Sequence, residues 1–399
     1  MEGPLSDRPR ARWAVEILVA LGGVLLVVWA WRADRRWFEI HTMPVFCAEH
    51  PGQLVRAAIE RWIAGGVGVL LLFVVRPRAG RWARRHSARE IAGAAARVFG
   101  AVLLALVVTD GVLRLRKSTP PTTLLHYEPD SEGDPRFTYR ARRSHVTEHV
   151  VGEKKLRFVI DANGYRVRSK DEIVDHARPT ILFTGESVAS GFGLNYEETY
   201  AAMVADGLGV QSVNLAVQGY GSDYAHVRLA EELPRFSHPL GTVSLVMHML
   251  VDRNVWPDRP HFVIFEDGTS RFVPAEDQRT KFNSPLLDVF RRLYHSEEGL
   301  RRTRALMVAT ARESLARGAL PLFLLVNCGT PCLPDETGAP SIERTLFEGL
   351  DLAHVRVDLN NDVFDFSIGH PSARGHRQIA DAVERALRER GIVGTSAKK

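Results

Sequence analysis

The sequence predicts an α/β domain built on a parallel sheet with helices on both faces, preceded by transmembrane helices. Beyond residue 178, short apolar runs alternate with longer amphipathic segments, the pattern of strand–helix units whose strands pair in parallel. Near the amino end, the stretch Trp13 to Trp31, WAVEILVALGGVLLVVWAW, is almost wholly apolar and about as long as a bilayer core requires. A polar, turn-rich stretch separates the two. The 399 residues suffice for roughly two ordinary domains. A hydrophobic content of 45% with 25% charged residues is that of a folded chain.

Charge and cysteines exclude several classes. The formal charge of +5 comes from 52 basic against 47 acidic residues, with the excess gathered near the amino end, which argues against a nucleic-acid partner. Cys47, Cys328 and Cys332 are too few for a disulfide scaffold and lack the paired spacing of a zinc site. No nucleotide or metal motif stands out, so no cofactor and no metal are expected.

Residues 1–115 read as a membrane anchor of about three helices, over 13–31, 59–75 and 91–113. Glu16 is the one charge in the first, and AWRAD after it lacks the small-residue cleavage pattern of a signal peptide. The second has WIAGGVGVLLLFVV at its centre, which is short for a span, and the third contains Arg97. A buried or interfacial helix is the competing reading of both. Apart from Arg97 and Asp110 no paired buried charge is expected in the spans, so anchoring is the economical role.

Orientation follows from the arginines. Arg8, Arg10 and Arg12 precede the first span and RPRAGRWARRHSARE follows the second, which keeps both on the cytoplasmic side. Three spans then place the rest of the chain outside the cytoplasm, against the pull of Arg114, Arg116 and Lys117 at the exit. On that side Cys328 and Cys332, in NCGTPC, either close a small disulfide loop or stay free.

Residues 116–178 read as a β-rich connector, in which RFTYRAR and KLRFVIDANGYRVRS alternate and carry turn residues. Its charges read as a solvated face. Residues 179–399 form the α/β domain. TILFTG is its first strand, NYEETYAAMVADGLG a helix opened by Asn195, and QSVNLAVQG a second strand and loop. SDYAHVRLAEEL follows as a helix and TVSLVMHML as a third strand. EEGLRRTRALMVATARESLARG is a long helix, LPLFLLVN and HVRVDL are strands, and PSARGHRQIADAVERALRER is the terminal helix.

In such a sheet ligands bind where strands hand over to helices. Ser187 stands there, in GES after the first strand, either as a nucleophile or as a helix cap. A serine nucleophile needs a base, and His370 in DFSIGHPSARGH, just before the terminal helix, is the best placed histidine, while His376 falls inside that helix. The glycine-rich NLAVQGYG can supply the Gly219 N–H to a developing oxyanion, or Gly219 and Gly221 can be turn residues.

Together these residues resemble the GDSL, or SGNH, hydrolases, a family of serine esterases and acyl hydrolases. In that family the nucleophile lies in a Gly-Asp-Ser block; here GES matches with Ser187, and Glu186 replaces the aspartate. NLAVQG is similar to the second block, with Asn214 and Gly219, and GHPSARGHRQIA to the last, with His370. The likeness spans about residues 150 to 395 and includes DANGYR, similar to a lead-in of membrane-anchored members. It implies a three-layer αβα, flavodoxin-like domain. Two places depart from the pattern. The third block's oxyanion asparagine is missing from MLVDRN, where Val251 precedes Asp252, leaving Asn254 or His248 as substitutes. Ser367 stands where the acid that orients the histidine belongs, leaving Asp365 as the nearest carboxylate.

The expectation is therefore a serine esterase acting through a Ser187 acyl-enzyme on an ester or an acylated envelope glycan or lipid. His370 is the base, Asp365 its orienting acid, and Gly219 with Asn254 the oxyanion donors. The alternatives are an O-acyltransferase using the same acyl-enzyme, and a catalytically impaired domain that binds an envelope glycan or protein. Residues 252–296 read as an insertion walling the site, whose aromatic residues stack on a sugar or pack on the domain.

Overall fold

The computed structural model describes residues 8–33, 50–117, 131–134, 138–151, 154–246, 261–264, 269–273, 285–328, 342–365 and 369–392. They fall into two compact units, the first made chiefly of the amino-terminal helices and the second of the connector and the α/β domain.

In the first unit, α1 (Arg8–Arg32) precedes α2 (His50–Leu70), which continues through one π-helical turn, Leu71–Val75, into α3 (Arg76–Ala83); α4 is Ala88–Lys117. Three stretches, Arg12–Arg32, Ala58–Ala83 and Ala88–Val112, are long and apolar enough to cross a membrane. The second is longer than the expected 59–75, because the helix runs on through the π-helical turn into α3, with Pro77 in the first turn after it. The third starts earlier than expected: Ser87 and Glu90 cap it reciprocally, with Ser87 N 2.7 Å from Glu90 Oε2. Helices α1 and α2 meet at glycines. A Cβ on Gly23 would stand 2.9 Å from Gly68 O, and one on Gly68 2.8 Å from Gly23 O. One expectation is corrected here: Arg97 is exposed and Asp110 half-buried, and the buried charge is Glu16, paired with Arg12 at 2.7 Å and lying against Gly80 of α3.

The connector contributes two antiparallel ladders, β1 (Ser131–Asp134) with β2 (Thr138–Ala141) and β3 (His145–Val151) with β4 (Lys154–Ile160). The α/β domain follows as β5 (Thr180–Thr184), α5 (Ser187–Ser190), α6 (Tyr200–Leu208), β6 (Gln211–Asn214), α7 (Ser222–Glu232) and β7 (Pro239–Val246). After these come the hairpin β8 (His261–Ile264) and β9 (Ser270–Val273), α8 (Pro285–Ala316), β10 (Leu320–Cys328), α9 (Ile342–Phe347) and β11 (His354–Leu359). The short strands β12 (Phe364–Asp365) and β13 (His370–Pro371) lead into α10 (Ala373–Glu389).

Five parallel strands form the sheet in the order β11-β10-β7-β5-β6. Counted along the chain this is the flavodoxin-like order, whose switch point lies between the first and third strands, here β5 and β7. Side chains alternate between faces. Ile181, Phe183, Val243 and Leu245 pack on Tyr200, Val204, Ile379 and Val383 of α6 and α10. On the other face Leu182 and Val213 meet Leu229 of α7, and Val246, Phe323 and Leu325 meet Met307 and Ala311 of α8. The result is the three-layer αβα domain.

The single helix expected from Asn195 is in fact two pieces. Asn195 and Glu198 box in a 3₁₀ turn, Tyr196–Glu198, and Thr199 then adopts an extended backbone and caps α6 through its hydroxyl. Of the insertion, Phe262 packs edge-on against Tyr224 with ring centroids 5.4 Å apart, and its N–H donates to Asp223 at 2.8 Å. That aromatic side chain belongs to the domain core.

Candidate active site

β5 is wholly buried between β6 and β7, so its exit is held rigidly at the switch point. The chain turns there through Gly185, at φ +148°, where a Cβ would stand 2.8 Å from Leu245 Cβ and 2.9 Å from Ala189 Cβ. Glu186 caps α5, accepting the Val188 N–H on Oε1 at 3.0 Å. Ser187 is therefore the first residue of the helix rather than its cap, which removes the cap reading of this serine. Its own N–H, at that position, has no acceptor within the helix.

His370 arrives from the other end of the domain. Its Nε2 lies 2.8 Å from Ser187 Oγ, across 183 residues of sequence. It sits in β13 and not in an irregular loop, and pairing with β12 sets Asp365 directly opposite it. Residues directly opposed in an antiparallel pair project to the same face. The Phe192 ring packs on the imidazole at a centroid distance of 4.9 Å.

A buried lattice of polar groups holds this corner. Asn214, at the end of β6, donates from Nδ2 to Ala189 O at 2.8 Å and accepts the Ala216 N–H at 3.0 Å, tying the second block to α5. Arg166, only 1% exposed, donates to Ser190 O, to Gly191 O at 2.8 Å and to Leu194 O, and its guanidinium lies 4.2 Å from the Phe158 ring centroid. The DANGYR turn aims it there: the Asp161 carboxylate accepts the N–H groups of Asn163 and Tyr165, each at 2.8 Å, and the Arg166 N–H donates to Asn214 O at 3.1 Å. Arg166 thus satisfies carbonyls at the end of the Ser187 helix that α5 is too short to satisfy itself. Its signal in the sequence was its place in DANGYR, between Tyr165 and Val167.

Gly219 takes φ +78°, and a Cβ there would stand 2.5 Å from the Tyr139 hydroxyl, which itself donates to Gln218 O at 2.8 Å. Since β6 and β5 are adjacent and parallel, the loops leaving them open on one edge of the sheet. Asn254, His248, Val251 and Ser367 lie outside the described residues, as does Cys332. Among the described residues, no three of His, Cys, Asp and Glu come together as a metal site would require.

The second histidine of the last block is structural. His376 is 1% exposed and accepts the Tyr200 N–H on Nδ1 at 3.1 Å. Burial pushes its pKa down to about 3, helped by the charges of Arg166 and His370. His226, buried in α7 with Nδ1 2.9 Å from Thr310 Oγ1, is pushed down by burial to about 4.

No protein-family model matches this sequence, and no curated protein does. Solved structures overlap part of it. A lipolytic protein of the G-D-S-L family from Desulfitobacterium hafniense aligns with 52% of this chain and 98% of its own, at 12% identity and a TM-score of 0.30. An acetyl xylan esterase from the rumen bacterium Butyrivibrio proteoclasticus aligns with 55% of this chain and 66% of its own, at 12% identity and a TM-score of 0.32. A carbohydrate esterase described as having divergent catalytic and non-catalytic binding functions aligns with 55% and 68%, at 14% identity and a TM-score of 0.30.

Proposed function

We propose that the protein is a membrane-anchored serine esterase or acyl hydrolase. The carrying observation is the 2.8 Å approach of His370 Nε2 to Ser187 Oγ at the exit of β5. In this reading Ser187 Oγ attacks an ester carbonyl as its proton passes to His370. The oxyanion that forms is held by the Ser187 and Gly219 N–H groups, with Asn254 as a side-chain donor. The imidazolium returns the proton to the departing alkoxide, leaving the acyl-enzyme, and water activated by the same imidazole releases the acid. Asp365 orients His370 from across the β12–β13 pair. The substrates are O-acyl groups of cell-envelope glycans or lipids, presented to a domain on the extracytoplasmic side of its anchor. Transfer of the acyl group to a sugar hydroxyl instead of water needs no change in these residues.

The test is fluorophosphonate labelling of the full chain in detergent, beside hydrolysis of a short-chain aryl ester. Ser187→Ala is expected to abolish labelling and to lower turnover by about 10³-fold or more. A folded wild-type protein that neither labels nor turns over would refute the reading and favour a binding domain.

A further inference from the structure

Glu186 differs from the resembling family's block by one methylene. Its two carboxylate oxygens do separate jobs. Oε1 accepts the Val188 N–H at 3.0 Å, the capping bond. Oε2 accepts a hydrogen bond from the Ser187 hydroxyl itself. The same oxygen, Ser187 Oγ, lies 2.8 Å from His370 Nε2 on its other side. Glu186 and Ser187 are both buried, at 5% and 6% exposure, so bulk water does not replace these contacts.

A serine hydroxyl has one proton and two lone pairs. Between a carboxylate and an imidazole it can donate to only one of them at a time. In the arrangement where it donates to Glu186, the remaining approach is met by His370 donating from Nε2 to a lone pair of Oγ. In the other it donates to His370. The nucleophile therefore has two proton acceptors within reach, one from its own block and one from the end of the chain.

We propose that Glu186 is a second catalytic base on Ser187, sharing with His370 the proton released during acylation. This rests on the hydrolase reading above. In the step it carries, the Oγ–H bond breaks as the Oγ–carbonyl carbon bond forms. The proton goes to Glu186 Oε2, and the carbonyl π pair moves onto the oxyanion. When the intermediate collapses, the ester C–O bond breaks and the alkoxide takes the proton back from Glu186, so the carboxylate is regenerated. A base that is itself a carboxylate needs no second carboxylate to orient it.

The experiment is a double-mutant cycle on the full chain in detergent, reading the second-order rate of fluorophosphonate labelling with thermal unfolding as the fold control. Two alternative acceptors cover for one another, so Glu186→Gln and His370→Gln each slow labelling about 10-fold while the pair slows it about 10³-fold or more, beyond the product of the single losses. Glu186→Asp keeps a carboxylate beside Val188 but draws it back from Oγ, and is expected to match Glu186→Gln alone and in the His370→Gln background. If the losses multiply, or if Glu186→Asp in the His370→Gln background labels as fast as His370→Gln alone, Glu186 is only a cap and the proposal fails while the hydrolase reading stands. Absence of Ser187-dependent labelling in the wild type would overturn both.

Discussion

The amino-terminal helices and the parallel sheet use the same kinds of apolar residue in opposite senses. In α4, Val98, Phe99, Leu103, Leu104 and Val107 are each more than half exposed, while in β5 Ile181, Leu182 and Phe183 are wholly buried. Lipid tails are as apolar as leucine, so such helices gain nothing by hiding these side chains from a bilayer. In the first unit backbone comes against backbone at Gly23 and Gly68. The sheet packs volume on volume, Ile181 and Phe183 against Tyr200 and Val204. Apolar content alone does not say which regime holds; the length of the run and the spacing of its interruptions do.

The sharpest way to break this comparison is to truncate one leucine in each region. Leu182→Ala is expected to cost about 2–5 kcal/mol through the cavity it leaves in the sheet. Leu103→Ala in α4 should change stability by less than about 0.5 kcal/mol, since Leu103 is more than half exposed. Equal losses on thermal unfolding in detergent would show that α4 is packed against something and not facing lipid. Gly23→Val comes next, with overpacking of about 1–3 kcal/mol against Gly68 and Leu72. A variant as stable as the wild type would mean that the close approach of α1 and α2 is not maintained.

The two regions also differ in how their stability responds to pH. His226 and His376 belong to the α/β unit, and their folded values of about 4 and about 3 lie below the ordinary 6.5. Between those values the unfolded chain binds more protons than the folded one, so stability falls as pH drops below about 6.5 and is complete above it. Each buried histidine contributes a slope of ~1.4 kcal/mol per pH unit inside its window. Unfolding midpoints measured from pH 7.5 down to 5 should fall for the wild type and fall less steeply for His376→Gln. An equal slope in that variant would show that His376 is not held neutral in the fold.

Much of the α/β unit could be read from short-range pattern. The period of each strand and helix is a property of a few consecutive residues, and Ser187 and His370 stand at element boundaries that glycine, asparagine and serine mark locally. Other features needed contacts between distant segments. The break at Thr199 was hidden because Asn195 already satisfied the signal for a helix start. The burial of Arg166 is not legible in the sequence, because a charged residue in a connector is ordinarily solvated. The histidine at 376 was legible as helical but not as buried, since only the placement of α10 against α6 encloses it.

The sequence by itself determined where the membrane-length helices lie, the alternation that makes a parallel sheet, and the residue types at the ends of β5 and before α10. These depend on local propensity and periodicity, which neighbours along the chain control. Only the tertiary structure decided that Ser187 Oγ would stand between Glu186 and His370, with Phe192 on the imidazole and Arg166 beneath the helix. Strand order and side-chain reach across 183 residues set the contact of His370 with Ser187.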